Sequence, residues 1–266
     1  MIHNKIRIAN YMSGRHSWTR PFRKMCQDHE YLERASDPKW NVEIFSMDFD
    51  KKYAHDTTLI QDFETLTPAQ VEEALGGPPD VIFCGFDCRT FSTASFGHHW
   101  GGGFRAFIPK TEAAKKALRM LDVLKVHMKA FPNAFVFVEN PRAGMRKMKQ
   151  MVPIEEGGNV ERQTLWYCQY GLAAHGHLLA KPTDIFGRFP PSWKARPLCK
   201  NHTYVGPKEA RVRTSTHCEH ESGNRGLKNS GLQGIKGAKF RSLMPVELPE
   251  EIARCLMAHW EKEGLL

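Results

Sequence analysis

Apolar and polar positions along the chain follow two signatures: short apolar runs that stop at a polar residue, and longer stretches with helical spacing. Ile6–Met12 is the first run and stops at the Ser13-Gly14 turn. Val42–Met47 is closed by Asp48, and the short Thr58–Gln61 by Asp62. Val81–Phe83 gives way to a polar loop carrying Cys88, and Ala134–Val138 leads into Glu139-Asn140-Pro141. Leu165–Tyr170 reads as a further strand ended by Gly171. Between the runs, Trp18–Glu33 predicts a helix with Pro21 tolerated near its start. Thr67 and Pro68 form an N-cap and first-turn pair for the next helix. Thr111–Ala130 is the clearest helix, with Ala114, Ala117, Leu118, Leu121, Leu124 and Met128 on one face, and Pro249–Lys262 is a closing amphipathic one. This alternation predicts an α/β fold with a doubly wound, mostly parallel sheet.

Two stretches break the pattern. Ser95–Pro109 holds Gly97 and Gly101–Gly103 and reads as a mobile lid directly after the Cys88 loop. Pro190–Gly237 has no periodicity, which in a folded chain marks a functional or disordered segment. The expected division is an α/β core over 1–187, a small irregular basic insert over 188–240, and a segment with a helix over 241–266 that returns to the core.

Charge sharpens that division. The net charge is +9, and Arg188–Arg241 holds twelve Lys/Arg against three acids. A basic, Gly/Pro-punctuated segment after an α/β core suggests a polyanion-binding surface. The 41% hydrophobic content suits a soluble globular protein, and no apolar run reaches membrane-spanning length. Seven cysteines without regular spacing argue for a reducing cytosol rather than a disulfide scaffold. Cys199-x-x-His202 and His217-Cys218-x-His220 have ligand chemistry but no common finger spacing, so no metal is expected.

Chemistry concentrates at Cys88 and Glu139. In an open parallel sheet, neighbouring strands deliver their last residues to one carboxyl edge, where ligands bind. A thiol beside a carboxylate suits covalent attack on an electron-poor ring, with the acid handling a ring nitrogen. Taken alone, Cys88 reads as a small buried hydrophobe. The acid-amide-proline triplet on the next long strand changes that reading. Cys84, Cys26, Cys168 and Cys255 read as packing residues.

Several motifs in colinear order resemble the DNA cytosine-5 methyltransferases, in particular the short versions encoded by bacteriophages. Cys88-Arg-Thr-Phe91-Ser92 looks like that family's catalytic loop, and Phe137-Val-Glu139-Asn140-Pro141-Arg142 like its Glu-Asn motif. Tyr167-Cys-Gln-Tyr-Gly171 and Lys181-Pro-Thr-Asp-Ile-Phe-Gly187 are similar to later segments of the phage branch, and Arg241-Ser242-Leu-Met-Pro245 falls at its last short motif. The resemblance implies a Rossmann-like methyltransferase fold. It implies a reaction centre of Cys88, Glu139, Asn140 and Arg142, with Arg89 or Arg142 supplying a positive setting for the thiolate. It implies S-adenosylmethionine as cofactor. Met12, Ser13 and Gly14 would meet its methionine part, Asp48 the ribose, Asp62 and Phe63 the adenine, and Ser242 would return to the pocket. Double-stranded DNA would be the partner of a cytoplasmic monomer, in the host cytoplasm if phage-encoded. Its contacts are expected at Arg89, Ser92, His98, His99, Lys181, Arg188, Arg211, Arg213, Arg225 and Lys228.

The chain departs from the family pattern at three places. His16 replaces the second glycine of the first motif, Asp87 replaces the proline before the catalytic cysteine, and the Gln-x-Arg-x-Arg motif is absent, with Lys181 and Arg188 the nearest basic residues. Other readings stand beside cytosine-5 methylation of DNA: a different one-carbon donor at the same Cys88 adduct, an RNA target, or a non-catalytic DNA-binding protein. A pure binder needs neither Cys88 nor Glu139.

Overall fold

The computed structural model describes residues 5–27, 41–92, 95–102, 106–153, 158, 160–171, 173–174, 177–178, 181–197, 203–205, 212–214 and 243–264. Its centre is a seven-stranded sheet. We number the strands β1 (Lys5–Tyr11), β2 (Asn41–Asp48), β3 (Leu59–Ile60), β4 (Val81–Gly85), β5 (Phe135–Pro141), β6 (Glu161–Trp166) and β7 (Pro182–Arg188). The spatial order is β3-β2-β1-β4-β5-β7-β6. β7 alone runs antiparallel, to both β5 and β6. The first five strands are mutually parallel, so their last residues all arrive at one edge. The order reverses between β1 and β4, which opens a crevice there.

Helices α1 (Arg20–Gln27), α2 (Pro68–Leu75), α3 (Cys88–Phe91), α4 (Phe96–His99), α5 (Glu112–Ala130) and α6 (Glu247–Lys262) complete the chain. α2 and α5 bury Val71, Leu75, Leu121, Leu124 and Met128 against Ala9, Ile82, Val136 and Val138. On the opposite face, Phe22 of α1 and Leu248, Ile252, Leu256 and Trp260 of α6 meet Ile6, Ile8, Phe83 and Phe137. Alternate residues of β1, β4 and β5 thus serve both cores. That is why these strands read as continuous apolar runs rather than as alternating ones. Among the described residues, no helix is long and apolar enough to cross a membrane.

The local signals hold at the α2 and α5 starts. Thr67 and Gln70 form a reciprocal capping box with Pro68 in the first turn, and Thr111 accepts from the Ala114 amide. Three expectations change. Leu165–Tyr170 is not one strand: β6 stops at Trp166, and Tyr167–Tyr170 coils into a 3-10 turn closed by left-handed Gly171 (φ 72°). Ser95–Pro109 is not a free lid in its described part. Trp100, only 2% exposed, donates to the Thr90 carbonyl at 2.6 Å and stacks on Phe91, while Trp100–Gly101 pairs with Ile108–Pro109. Third, the division expected at 187/188 falls inside the folded core, because Phe189 and Trp193 are buried against Phe137.

Past Trp193 the chain is stapled to α6. The Arg196 guanidinium donates to Glu247 at 2.7 Å, to Glu251 at 2.8 Å and to the Gln169 carbonyl at 2.6 Å, and lies over the Tyr170 ring.

Candidate active site

At the switch point, the ends of the parallel strands enclose a cleft of about 920 Å³. Met12, Ser13, Gly14, Asp48, Asp62, Phe63, Cys88, Arg89, Glu139 and Lys181 all line it.

The turn after β1 is built from left-handed residues. Met12 (φ 51°), Gly14 (φ 48°) and His16 (φ 56°) alternate with their neighbours, and the two non-glycine residues carry about 1–2 kcal/mol of strain each. His16 therefore keeps the backbone path that a glycine would give. Its ring does not line the cleft. It is 6% exposed and turns towards Arg23, and burial together with that guanidinium pushes its pKa down. A Cβ at Gly14 would meet nothing within 4 Å, so this side of the turn is open. The Ser13 hydroxyl is buried without a partner. Gly85, at the end of β4, allows the turn to approach closely, since a Cβ there would lie 3.2 Å from the Met12 carbonyl.

Asp48 is 4% exposed and firmly set: Gly14 N–H donates to one carboxylate oxygen at 2.8 Å and Asp50 N–H to the other at 2.9 Å. Each oxygen keeps acceptor capacity for a ligand hydroxyl. Asp62 caps the turn over Phe63–Thr65, and Lys116 pairs with its second oxygen. Burial opposes the Asp62 charge, but the Lys116 contact prevails and holds this carboxyl below its ordinary range. Phe63 is packed between Tyr11 and His127, and His127 bridges the Tyr11 hydroxyl and the Leu66 carbonyl. A more exposed aromatic face in the cleft is Phe49, 57% exposed and directly after Asp48. Sequence reading missed Phe49; its position beside the strand-end acid is the signal that marks it.

Across the cleft, Cys88 opens α3. Asp87 caps this single turn by accepting the Arg89 amide at 3.2 Å and also holds the Arg89 side chain at 3.0 Å. The positive setting expected from Arg89 is thus spent on Asp87, and the exposed Arg142 does not line the cleft; its backbone amide donates to the Pro182 carbonyl at 3.0 Å. Burial, then Glu139 and Asp87, push the Cys88 thiol up, while Lys181 opposes them. Glu139 is 9% exposed and accepts a 2.9 Å hydrogen bond from Tyr167. Burial and the Glu139 charge keep the Tyr167 hydroxyl protonated, so it serves as donor. Tyr167 was not foreseen, because its strand was expected to continue. Lys181 was expected on DNA. It lies 6% exposed with Nζ 3.7 Å from Glu139 and 4.6 Å from the Tyr167 ring centroid. Asn140 is fully buried and donates to the Phe86 carbonyl, bracing the turn that carries Cys88.

The remaining nucleic-acid positions divide. Ser92, His98 and His99 lie outside the cleft, and His99 bonds the α5 cap Thr111 at 2.8 Å. Arg188 does not face outward as a phosphate contact: its guanidinium donates to the Met128, Phe131 and Ala134 carbonyls at 2.6–3.0 Å, closing the C-terminus of α5. Arg188→Met should therefore lower the stability of the fold by about 2–3 kcal/mol, checked by urea melts. Ser242, Arg211, Arg225, Lys228 and the Cys199, His202, Cys218 and His220 set lie outside the described residues, as does the side chain of Arg213.

No protein-family model and no curated protein matches the chain. Among solved structures it is similar to a methyltransferase of Entamoeba histolytica, at 9% identity and a TM-score of 0.46, over 73% of this chain and 56% of that one. It is also similar to a candidate DNA modification methyltransferase encoded within an E. coli prophage, at 10% identity and a TM-score of 0.40, over 69% and 46%. The chain thus spans about half the length of these structures.

Proposed function

We propose that the chain methylates C5 of a cytosine turned out of DNA, through a covalent adduct between Cys88 and C6, with S-adenosylmethionine as donor. The observation that carries this reading is the meeting of Cys88 and Glu139 in one cleft with Asp48 and the open Gly14 turn. A base must leave the duplex to reach a thiol set inside this cleft.

The donor fits what the cleft offers. Asp48 presents anchored acceptors to a ribose diol, Phe49 an open ring to a purine, and Gly14 and the unpartnered Ser13 hydroxyl a polar, uncrowded end. When bound, it supplies an electrophilic methyl group on a sulfonium. The protein's own part is the activation of the base. The Cys88 sulfur loses its proton and bonds to C6. The C5–C6 π pair moves to C4–C5, and the C4–N3 pair passes to N3, which takes up a proton. Glu139, fixed by Tyr167, accepts from the exocyclic amine and N3–H and so favours the protonated adduct. Once C5 carries the methyl group, loss of its proton to a base re-forms the C5=C6 double bond and releases the thiolate, and N3 gives back the proton it took up.

The deciding experiment is mass analysis of nucleosides from the DNA of cells expressing the protein. Deoxycytidine heavier by one methyl group, co-eluting with the C5-methylated rather than the N4-methylated standard, is the expected result. A different added mass would replace the donor, and unmodified DNA would remove the reading. Calorimetry tests the donor site separately. Asp48→Asn keeps an acceptor for the turn but loses the charge, and should weaken S-adenosylmethionine binding by roughly five- to a hundredfold, the equivalent of about 1–3 kcal/mol.

A further inference from the structure

Lys181 has no role in the reaction just described, yet the fold places it with care. Its carbonyl accepts the Tyr167 amide at 3.2 Å, and the next residue begins β7, which runs alongside β5 with Ile185 opposite Glu139. The lysine is therefore fixed by the two elements that carry Tyr167 and Glu139. Its side chain is 8% exposed. A desolvated ammonium is costly unless it is paired. Its neighbours are the face of the Tyr167 ring and, at 3.7 Å, the Glu139 carboxylate. That separation is an ion pair but well beyond the 2.7–2.9 Å of a closed charge-assisted hydrogen bond. The ammonium thus lies near Glu139 without being closed onto it, in the same cleft as Cys88.

We propose that Lys181 is a positioning residue for the nucleophile: parked on the Tyr167 ring, its ammonium offsets the Glu139 charge and so favours the Cys88 thiolate already in the free protein, and the more once a base engages that carboxylate. This rests on the reading of Cys88 as the attacking group. The charge arithmetic requires such a cation. A thiolate formed beside Glu139 and Asp87 would place three anions around one enclosed site, and Arg89 is already held by Asp87. When N3–H of the base bonds Glu139, the carboxylate's hold on Lys181 weakens, and the thiolate becomes the stronger attractor. Tyr167 supplies the mount: its ring holds the ammonium and its hydroxyl holds the acid.

The test is the pH profile of Cys88 labelling by iodoacetamide, read on the Cys88 peptide by mass spectrometry, with full-length protein and neither DNA nor donor present. Lys181→Met should move the profile to higher pH and slow labelling at neutral pH by roughly tenfold, the change in thiolate fraction for a shift of about one pH unit. Lys181→Arg should restore most of the rate. Glu139→Gln should move the profile to lower pH, because it removes a charge that disfavours the thiolate. If Lys181→Met strands the buried carboxylate and fails to fold, Glu139→Gln is compared with the double variant Glu139→Gln/Lys181→Met, which leaves no unpaired charge. The double variant should label more slowly than the single one. Superimposable profiles within either pair of folded proteins, or no recovery with arginine, would overturn the proposal. The labelling needs no substrate, so a protein that leaves DNA unmodified sinks the methylation reading without deciding the lysine's effect on the thiol.

Discussion

Replacing Cys88 by serine should yield a folded chain in which the proposed base-modifying activity is lower by about a thousandfold or more. Serine oxygen is a far weaker attacking group than sulfur at neutral pH, and loss of a covalent nucleophile acts on this scale. The fold should be indifferent. Cys88 is half-buried at the start of a one-turn helix, and that turn is held by the Asp87 cap, the Ser92 amide to the Cys88 carbonyl, and Trp100 on Phe91. None of these involves the sulfur. Duplex carrying 5-fluorocytosine at the target separates nucleophile from bystander. Fluorine cannot leave as the C5 proton does, so the wild-type protein should remain attached through denaturing electrophoresis, and the serine variant should not. Normal turnover by the serine variant would exclude Cys88 as the attacking group.

Glu139→Gln should slow the reaction by roughly 10²–10⁴-fold, the usual range for a positioned acid or base, with duplex affinity held. The glutamine oxygen still accepts from Tyr167, so the site keeps its shape. What is lost is the negative charge that favours protonation of N3 in the adduct. DNA affinity should persist because phosphate contacts dominate it, and Glu139 is nine-tenths buried inside the cleft. Single-turnover rates and binding titrations on the same preparation give both quantities. Parallel losses of rate and binding would assign Glu139 a structural role instead.

Both side chains were visible in the sequence because a parallel sheet turns a one-dimensional fact into a spatial one. Two apolar runs that end in reactive residues must present them at the same edge once the runs pair, and β4 and β5 do pair, with Gly85 opposite Glu139. Caps were legible for a similar reason: Thr67, Pro68 and Thr111 act within three residues of themselves. Less legible was whatever depends on a distant partner. Pro182–Arg188 does not read as a buried strand because it contains Asp184, whose charge is met by Arg146 and whose oxygen accepts from Thr164, 20 residues away in sequence. Arg188 looked like a phosphate ligand because nothing local shows that α5 ends against it. Tyr167 and Lys181 escaped notice as partners of Glu139 for the same reason: they sit on separate elements, joined only across β6 and β7.

The Arg196 staple bears on how far the sequence between it and α6 can vary. Arg196 lies just before residues 198–242, and Glu247 and Glu251 follow soon after them, so the ends of this basic stretch are brought together by the folded core itself. Loop-closure entropy grows only logarithmically with length, by about 0.6 kcal/mol per doubling. A stretch whose base is already clamped can be shortened, extended or exchanged while the two faces of the sheet keep their packing. Variation in that stretch is thereby uncoupled from the stability of the core beneath it.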